Sequence, residues 1–389
     1  MISSARHATI LGVSDVSLGY GSPQVPTLLE SLADHYPGCD ALVLEPDQSE
    51  FRPQPGRFPR LRIERIATRF HPHSPPGMIE YNTRVARTLD TLAPDVLVFS
   101  SPVVIPSLLR ARHRPRYCIY YMLESLAHYD GAGSSAARFL LDAHRQARSR
   151  IDLVVFPEEN RAAADIVRAG YETVPLVVCY NSINRAAVAK RDEPLPTKNR
   201  RLLYSGTIDP HLTLADFFLD PEVRAMPLDL WGVVGGRGKE AFEQALHGDG
   251  ELRYCGYVDS LRLAELRKRY AYSLILWSPA NENTLYACPN KLFEAIADGV
   301  PPISTPHPQC KMLIERYDCG IVLDDWSLDA FLRGTKHALD LFGTPRYDEL
   351  VANCRLAAER ELNWDVQFEK IRSNLPPRLT QSASGLPKE

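Results

Sequence analysis

The sequence lacks several features that mark large classes of protein. None of its eight cysteines lies in a C-x-x-C pair or in a cysteine and histidine cluster with zinc spacing. No apolar run approaches the length of a membrane-spanning helix, and the N-terminus has no long apolar region with a cleavage site. No acidic metal motif is visible either. We therefore expect a cytoplasmic protein with reduced thiols and no bound metal, at most peripheral to the inner face of a membrane.

The sequence also lacks the basic excess typical of nucleic-acid-binding proteins, since its formal net charge is -3. We expect no nucleic-acid partner. The segment 51–116 departs from this average, because it contains 12 arginines, no lysine and only four acidic residues. Two interpretations of this Arg-rich segment stay open. It is either a solvated face or a surface for anionic lipid or a phosphate-bearing substrate, which would give peripheral membrane contact.

The composition that is present is that of a globular protein. The 389 residues are 44% hydrophobic and 24% charged, which is enough for two ordinary domains. Short apolar runs alternate with segments of helical periodicity, as in parallel α/β sheets. The first half contains seven such runs: HATILGV, DALVLEP, RLRIERIA, DVLVFSS, RYCIYYM, DLVVFPE and PLVVCYN. The second half contains six: RLLYSGT, LDLWGVV, ELRYCGYV, YSLILWS, PPISTP and CGIVLD. Two doubly wound domains of similar size are predicted.

The domain boundary is predicted where charge and proline replace the apolar periodicity, in the linker 187–200. We place an N-terminal domain at 1–190 and a C-terminal domain at 191–360. A closing helix follows at 361–375, and 376–389 is predicted to be a disordered tail. Ligands of parallel sheets bind beyond the carboxyl ends of the strands, so the expected site is the cleft between the two sheets.

The stretch NENTLYACPNKLFEAIADGVPP, residues 281–302, combines unusual features. Pro289 to Asp298 is predicted to be a helix with an inward apolar stripe, followed by a glycine suited to a left-handed C-terminal position. Lys291 is unusual so early in a helix, because the positive end of the helix dipole repels a cation. An anion held between this lysine and the first-turn N–H groups would relieve the repulsion.

Glu294, one turn deeper, would then accept hydrogen bonds from hydroxyl groups of the same ligand, such as a ribose. Lys291 and Glu294 together are typical of a nucleotide-diphosphate site. The alternative from spacing alone is an exposed i,i+3 ion pair of a few tenths of a kcal/mol. Both interpretations stay open on the residues themselves.

The second half of the chain resembles the nucleotide-binding domain of GT-B glycosyltransferases, especially the family-four (glycosyltransferase group 1) enzymes. RLLYSGTID resembles their first strand and glycine turn, and PNKLFEAIADGVPPIS matches the signature P-x-K-x-x-E-x-x-x-x-G-x-P. The resemblance covers residues 201–325 and is weaker over the first half. It implies an α/β GT-B fold with two Rossmann-like domains facing a central cleft. The N-terminal domain would bind the acceptor, and a closing helix bearing Trp364 would return to it.

The resemblance implies roles for individual residues. Glu294 corresponds to the glutamate that bonds the donor ribose, and Lys291 and Asn290 would lie near the donor diphosphate. Gly206 would admit backbone amides to that diphosphate. The remaining donor-side positions are Tyr257 and Val258 along the nucleobase, and Ser278, Asn281 and Asn283 facing the sugar. The family has a further acid eight positions before the ribose glutamate, where this chain has Tyr286, and Glu282 is out of register. The stereochemical outcome therefore stays open.

Candidates on the acceptor side come from the first half. Gly19 and Gly21 form a glycine turn after the first strand, which is either a simple tight turn or a point of approach for the sugar or phosphates. Glu124 and His128 follow the strand RYCIYYM and are candidates for the base of an inverting transfer. The alternative is a polar loop that positions the acceptor or caps a helix. Weaker candidates are Glu158, Glu159 and Asn181.

The expected activity is glycosyl transfer from a nucleoside-diphosphate sugar, of UDP or GDP type, to an acceptor hydroxyl. The acceptor would be a glycan or other sugar, a lipid-linked saccharide or a small natural product. No cofactor besides the donor substrate is expected. Two alternatives remain: a nucleotide-sugar epimerase or phosphorylase of the same fold, and a non-catalytic nucleotide-sugar-binding protein.

Overall fold

The computed structural model describes residues 8–18, 23–47, 58–127, 135–184, 195–377 and 379. The chain divides into two compact units. The first unit consists of Met1–Cys179 and Phe368–Glu389, and the second of Tyr180–Gln367. Most of the predicted linker 187–200, the first part of the Arg-rich segment and nearly all of the predicted tail lie outside the described residues. The last two linker residues, Asn199 and Arg200, belong to a strand instead.

The first unit is built on a seven-stranded parallel sheet with the order β3-β2-β1-β4-β5-β6-β7. Its strands are β1 Thr9–Val13, β2 Asp40–Pro46, β3 Leu61–Ile66, β4 Val96–Phe99, β5 Tyr117–Tyr121, β6 Leu153–Phe156 and β7 Leu176–Val178. All seven apolar runs predicted in the first half form strands. The strands β4 and β6 are buried along their whole length, as expected for a sheet covered by helices on both faces.

Among the described residues of this unit, five α-helices connect the strands. They are α1 Gln24–His35, α2 Pro75–Leu92, α3 Ile105–Arg110, α4 Ser135–Ala147 and α5 Glu159–Ala169. The start of α2 is fixed by Ser74, whose side chain accepts a hydrogen bond from the Gly77 N–H, and by prolines in the first turn. The helix α5 ends at Gly170, which adopts a left-handed conformation with φ +73°.

The second unit is built on a six-stranded parallel sheet with the order β10-β9-β8-β11-β12-β13. Its strands are β8 Asn199–Ile208, β9 Leu228–Val234, β10 Arg253–Gly256, β11 Tyr270–Ile275, β12 Pro302–Ser304 and β13 Ile321–Val322. All six apolar runs predicted in the second half form strands. The prediction of two doubly wound α/β sheets is thus confirmed.

The helices of the second unit follow the same alternation. They are α6 Pro221–Arg224, α7 Lys239–Leu246, α8 Ser260–Arg267, α9 Glu282–Leu285, α10 Asn290–Ala297, α11 Pro308–Tyr317, α12 Leu328–Leu341, α13 Pro345–Arg360 and α14 Trp364–Arg372. Each unit has its own apolar core between sheet and helices. Within the described residues, no helix combines the length and apolarity that a bilayer crossing needs.

The helix α14 begins in the second unit and ends in the first. Trp364 is 2% exposed and its backbone N–H donates to the Ile183 carbonyl at 2.8 Å, within the second unit. The residues that follow α14 bond to the first unit, where Tyr36 donates to the Pro376 carbonyl at 2.7 Å and Tyr117 to the Asn374 carbonyl at 2.6 Å. The C-terminal segment is therefore part of the first unit although it lies last in the sequence.

Ile371, at the end of α14, is fully buried, so its truncation should destabilise the unit it packs against. We expect Ile371→Ala to lower the free energy of unfolding of the first unit by about 2–5 kcal/mol, because it leaves a cavity. Urea unfolding followed by limited proteolysis measures this change. The control is Ser373→Ala at an exposed position, with an expected change within about 0.5 kcal/mol. Equal effects of the two substitutions would contradict the assignment of this segment to the first unit.

Candidate functional site

The helix predicted from the sequence forms the centre of the candidate site in the second unit. Pro289 is the residue before α10, and Gly299 ends the helix with a left-handed φ of +63°. The predicted apolar stripe is confirmed, because Leu292, Phe293 and Ile296 are all fully buried. This stripe fixes the rotation of α10 and so decides where its polar side chains point.

Lys291 lies in the first turn of α10 and is half-buried. Its Nζ lies 4.3 Å from the centroid of the Tyr204 ring, over the ring face. No carboxylate of the described residues lies within ion-pair distance of this ammonium, so the alternative of an i,i+3 pair with Glu294 is wrong. Burial lowers the pKa of Lys291 to about 8, against an opposing effect of Glu294. Among the described residues this desolvated cation has no carboxylate within ion-pair distance, and it lies at a helix start that itself repels cations.

Gly206 lies beside this ammonium. It has a φ of +115°, a conformation that favours glycine, and a Cβ placed on it would lie 3.5 Å from the Lys291 Nζ. Its neighbour across the sheet is Gly232, where a Cβ would lie 1.7 Å from the Gly206 carbonyl oxygen. Two glycines thus bring the backbones of β8 and β9 together at this point. Because Gly206 has no side chain, the Lys291 ammonium lies directly beside the backbone of β8.

Glu294 is held by an arginine that the sequence did not single out. The Arg267 guanidinium, at the end of α8, donates to Glu294 Oε2 at 2.6 Å and to Asp298 Oδ2 at 2.7 Å. Arg267 and Asp298 are each 3% exposed, whereas Glu294 is 31% exposed. Glu294 lies on α10 and Asp298 is the C-cap of this helix, four residues later, so one guanidinium bridges both carboxylates. Arg267 therefore fixes the orientation of the Glu294 carboxylate, which is still partly exposed.

The prediction of a polar face on α10 is corrected at Asp298. We expected it to lie on the polar side with Asn290 and Glu294, but it is buried against Arg267. Burial raises the pKa of Asp298 to about 6, although Arg267 acts in the opposite direction. The only signal for this pair in the sequence was a basic residue near the C-terminus of α8. Basic residues are common at the C-terminal ends of helices, so this signal did not single out the pair.

The other predicted donor-side residues lie on loops around α10 and at the ends of strands. Tyr257 is 59% exposed and follows Gly256, the last residue of β10. The Ser278 N–H, after β11, donates to the Leu212 carbonyl at 3.0 Å, which joins the loops that follow β11 and β8. Asn281 caps the short helix α9 by accepting from the Thr284 N–H. Val258, Asn283 and Asn290 are half-buried. Their ligand contacts stay predictions.

Three of the seven predicted acceptor-side residues lie outside the described part of the chain, namely Gly19, Gly21 and His128. Of the weaker candidates, Glu158 is buried and Glu159 begins α5. Glu124 is described, and it is exposed in the loop after β5. Asn181 belongs to the second unit, where its side chain donates to the Cys288 carbonyl at 3.4 Å. The role of Glu124 as a base stays a prediction.

Sequence reasoning missed a polar cluster in the first unit. Asp15, in the loop after β1, lies 2.9 Å from the Nε2 of His73, which precedes α2. The Ser101 hydroxyl, after β4, donates to the same Asp15 oxygen at 2.7 Å. These three residues come from three separate segments: Asp15 and Ser101 lie two residues beyond the ends of β1 and β4, and His73 precedes the N-cap of α2. The stretch HPHSPP after the strand RLRIERIA was the signal that could have found this cluster.

An apolar cavity of about 340 Å³ lies beside the same end of α2. Its lining includes Pro75, Met78 and Ile79 of α2, with Phe139 of α4 and Arg110 of α3. Ile79 is 58% exposed and Phe139 is 49% exposed. Large apolar side chains at the mouth of a cavity are typical of a ligand or contact site.

Comparison with known proteins addresses the fold. No family model and no curated protein matches this sequence. Solved structures do match. A sucrose-phosphate synthase from Thermosynechococcus elongatus is similar with a TM-score of 0.71 and 14% identity, over 94% of this chain and 98% of that one. WaaG, a glycosyltransferase involved in lipopolysaccharide biosynthesis, is similar with a TM-score of 0.68 and 15% identity, over 92% and 98%.

HepE from Anabaena, solved in complex with UDP, is similar with a TM-score of 0.67 and 13% identity, over 94% of this chain and 98% of that one. These likenesses extend over both units and over nearly the whole length of the other chains. At such identities they establish the architecture and not the reaction. The chain therefore has the GT-B fold that the sequence predicted.

Proposed function

We propose that this protein is a glycosyltransferase that moves a sugar from a nucleoside-diphosphate sugar to an acceptor hydroxyl. The observation that carries the proposal is the Lys291 ammonium, desolvated beside Gly206 and without a carboxylate partner in the described residues. A diphosphate supplies the missing negative charge and accepts hydrogen bonds from the first backbone N–H groups of α10. Glu294, one turn deeper, accepts hydrogen bonds from ribose hydroxyls.

The donor is of UDP or GDP type in this proposal. Two structures of HepE from Anabaena, one with UDP and one with UDP and glucose, support a nucleotide-sugar ligand for this fold. As the glycosidic bond breaks, negative charge grows on the departing diphosphate. A cation and backbone N–H groups already in place stabilise that charge without reorganisation. The donor is itself a substrate, so the proposal includes no separate cofactor.

The acceptor in this proposal is a sugar, a lipid-linked saccharide or a small molecule. The apolar cavity of the first unit favours an acceptor with an apolar part. Arg110 at its edge donates to the Ile79 carbonyl and the Thr83 hydroxyl, and no carboxylate of the described residues neutralises it. An acceptor with an anionic group next to its apolar part would match this edge. Octyl and methyl glycosides are simple probes that separate the apolar contribution from the sugar itself.

Lys291→Met tests the proposal directly. We expect kcat to fall by about 10²-fold or more, because one preorganised group that stabilises the leaving charge is removed. UDP affinity should fall as well, while the free energy of unfolding should not decrease, since the native lysine is a desolvated cation. Transfer from UDP-glucose, UDP-galactose, UDP-N-acetylglucosamine and GDP-mannose to octyl and methyl glycosides is measured, together with the thermal shift produced by UDP and GDP.

The matched control is Lys311→Met in α11 of the same unit. Lys311 is half-exposed and forms a 3.8 Å pair with Glu315. Its loss should leave turnover and UDP binding unchanged. If neither UDP nor GDP raises the melting temperature of the wild-type protein, the proposed function is wrong. Equal activity of Lys291→Met and Lys311→Met would exclude Lys291 from the donor site.

The lowered pKa of Lys291 predicts proton uptake on nucleotide binding. Free Lys291, with a pKa of about 8, is largely uncharged at pH 9. A bound diphosphate favours the charged form, so UDP binding at pH 8.5–9 should take up a substantial fraction of one proton. Below pH 7 the lysine is already charged and the uptake should vanish. Calorimetry in two buffers that differ in ionisation enthalpy measures the uptake, and Lys291→Met should abolish it. Uptake that persists in this variant would contradict the assignment.

Arg267→Met tests how Glu294 is positioned. The substitution leaves the buried Asp298 carboxylate unpaired, so we expect a loss of about 3–5 kcal/mol in the free energy of unfolding. UDP affinity should fall too, because Glu294 loses the guanidinium that orients it. Arg269→Met, at an exposed position two residues on, is the control, with an expected change within about 0.5 kcal/mol.

The double variant Arg267→Met with Asp298→Asn separates stability from binding. It removes the unpaired buried charge and should recover part of the lost stability. Its UDP affinity should stay low, since Glu294 is still without its arginine. Full recovery of UDP affinity in the double variant would show that Arg267 serves the fold alone.

A further inference from the structure

The apolar cavity of the first unit lies at the starts of two long helices. Its lining includes the first residues of both, Pro75 of α2 and Ser135 of α4. Met78 of its wall packs with Val103 and Leu140 in a small buried cluster that is separate from the main core of the unit. The volume of about 340 Å³ is in the range of small-molecule sites. The cavity is therefore large enough for a ligand, and its lining residues all belong to the first unit.

The lining of the cavity is mostly apolar. Six of its nine lining residues have apolar side chains, which suits an alkyl chain better than a sugar. Two of the six, Ile79 of α2 and Phe139 of α4, are 58% and 49% exposed. A ligand chain that covers them removes apolar surface from water, which favours binding.

The edge of the cavity carries a positive charge without a carboxylate partner among the described residues. The Arg110 Nη1 donates to the Ile79 carbonyl at 3.1 Å and to the Thr83 hydroxyl at 3.0 Å, and both acceptors are uncharged. The one acid in the first two turns of α2 is Glu80, which pairs with Arg84 at 3.0 Å instead. An anionic group of a ligand would meet a guanidinium that is already held in place.

Two further arginines extend this positive charge. Arg87 lies one turn after Thr83 on α2, and Arg138 is adjacent to Phe139 on α4. Both are exposed, and neither forms an ion pair with a described residue. The first turns of α2 and α4 also carry the positive ends of their helix dipoles. The charge around the cavity therefore favours an anionic occupant.

A buried polar group in the cavity wall lacks a partner. Asn82 is 1% exposed, and its Nδ2 donates to the Met78 carbonyl at 2.8 Å and to the Val103 carbonyl at 2.9 Å. These two bonds fix the amide orientation, and Oδ1 has no hydrogen-bond partner among the described residues. A ligand hydroxyl that donates to Oδ1 would remove the cost of an unpaired acceptor. Because Asn82 is adjacent to Thr83, which contacts Arg110, this hydroxyl would lie near the anionic group.

We propose that the cavity is a binding site for a single-chain anionic amphiphile. The alkyl chain lies against Ile79 and Phe139, the acidic group binds Arg110, and a hydroxyl near that group donates to Asn82. A 3-hydroxy fatty acid combines these three features. The inference goes beyond the proposed function and does not depend on it, because every contact lies within the first unit.

The experiment measures binding to the full-length protein by calorimetry. The probes are hexanoate, decanoate, 3-hydroxydecanoate and decanol, each kept below its micelle concentration. From hexanoate to decanoate the affinity should rise about threefold per methylene, because each one is buried. 3-Hydroxydecanoate should bind roughly fivefold tighter than decanoate, and decanol about tenfold more weakly than decanoate. Equal affinities for hexanoate and decanoate would exclude the chain from the cavity.

Two variants with matched controls locate the site. Arg110→Met should weaken decanoate binding about tenfold and leave decanol binding unchanged, because only the acid uses the guanidinium. Its control is Arg145→Met on α4, an exposed arginine paired with Asp142, which should change neither. Ala136→Leu should fill part of the cavity and weaken both ligands about tenfold. Ala163→Leu at an exposed position of α5 is its control, and thermal unfolding checks that all four variants fold.

Several outcomes would overturn the site. One is the absence of binding by decanoate, 3-hydroxydecanoate and decanol. Another is an equal effect of Arg110→Met and Arg145→Met on decanoate. Binding to phosphatidylglycerol vesicles without binding of the monomeric acids would replace the site by a membrane surface. Failure of UDP and GDP to bind would instead overturn the proposed function and leave this site unaffected, so the two failures are distinguishable.

Discussion

The reversal of strand order in a parallel sheet is the constraint on which the rest of this structure depends. Each sheet starts from a central strand, grows outward on one side and then resumes beside its first strand, at β4 in one unit and β11 in the other. Helical connections leave the two central strands in opposite directions, which keeps the backbone away from their carboxyl ends. The residues of the candidate site and of the polar cluster lie near these carboxyl ends. Lys291 and Gly206 lie by β8 in one sheet, and Asp15 and Ser101 follow β1 and β4 in the other.

Two cations of the second unit, the buried Arg267 and the half-buried Lys291, differ in how their charges are paired. Each terminal nitrogen of Arg267 donates a hydrogen bond to a carboxylate, one to Asp298 and one to Glu294, so its charge is paired and orients both neighbours. Lys291 Nζ lies over the Tyr204 ring face, a contact that offers roughly 0.5–2 kcal/mol and no opposite charge. Burial lowers the pKa of Lys291, because desolvation disfavours the charged form of the ammonium. An anion that binds beside Lys291 stabilises the charged form of the lysine, and this stabilisation adds to the free energy of binding.

Most of the fold and part of the site could be predicted from the sequence. The thirteen apolar runs correspond to the thirteen strands of the described residues. Central strands such as β4 and β6 are continuous apolar segments because both faces of the sheet are covered, whereas the edge strand β3 is only partly buried. The orientation of α10 followed from its stripe of Leu292, Phe293 and Ile296. Arg267 and Asp298 are 31 residues apart, however, and their contact depends on how α8 packs beside α10. The pairing of Asp15 with His73 likewise joins segments that only the sheet brings together.

Tyr286 bears on the stereochemical course of the proposed transfer. The family that the sequence resembles has an acid at the position of Tyr286, which is half-buried at the end of α9. A tyrosine has no carboxylate, so the polar contact to the transferred sugar that the family pattern implies is absent at this position. An inverting transfer needs a base for the acceptor hydroxyl, whereas a retaining transfer needs none if the leaving diphosphate accepts the proton. The residues that hold the diphosphate serve either course, so the fate of the acceptor proton is what distinguishes the two.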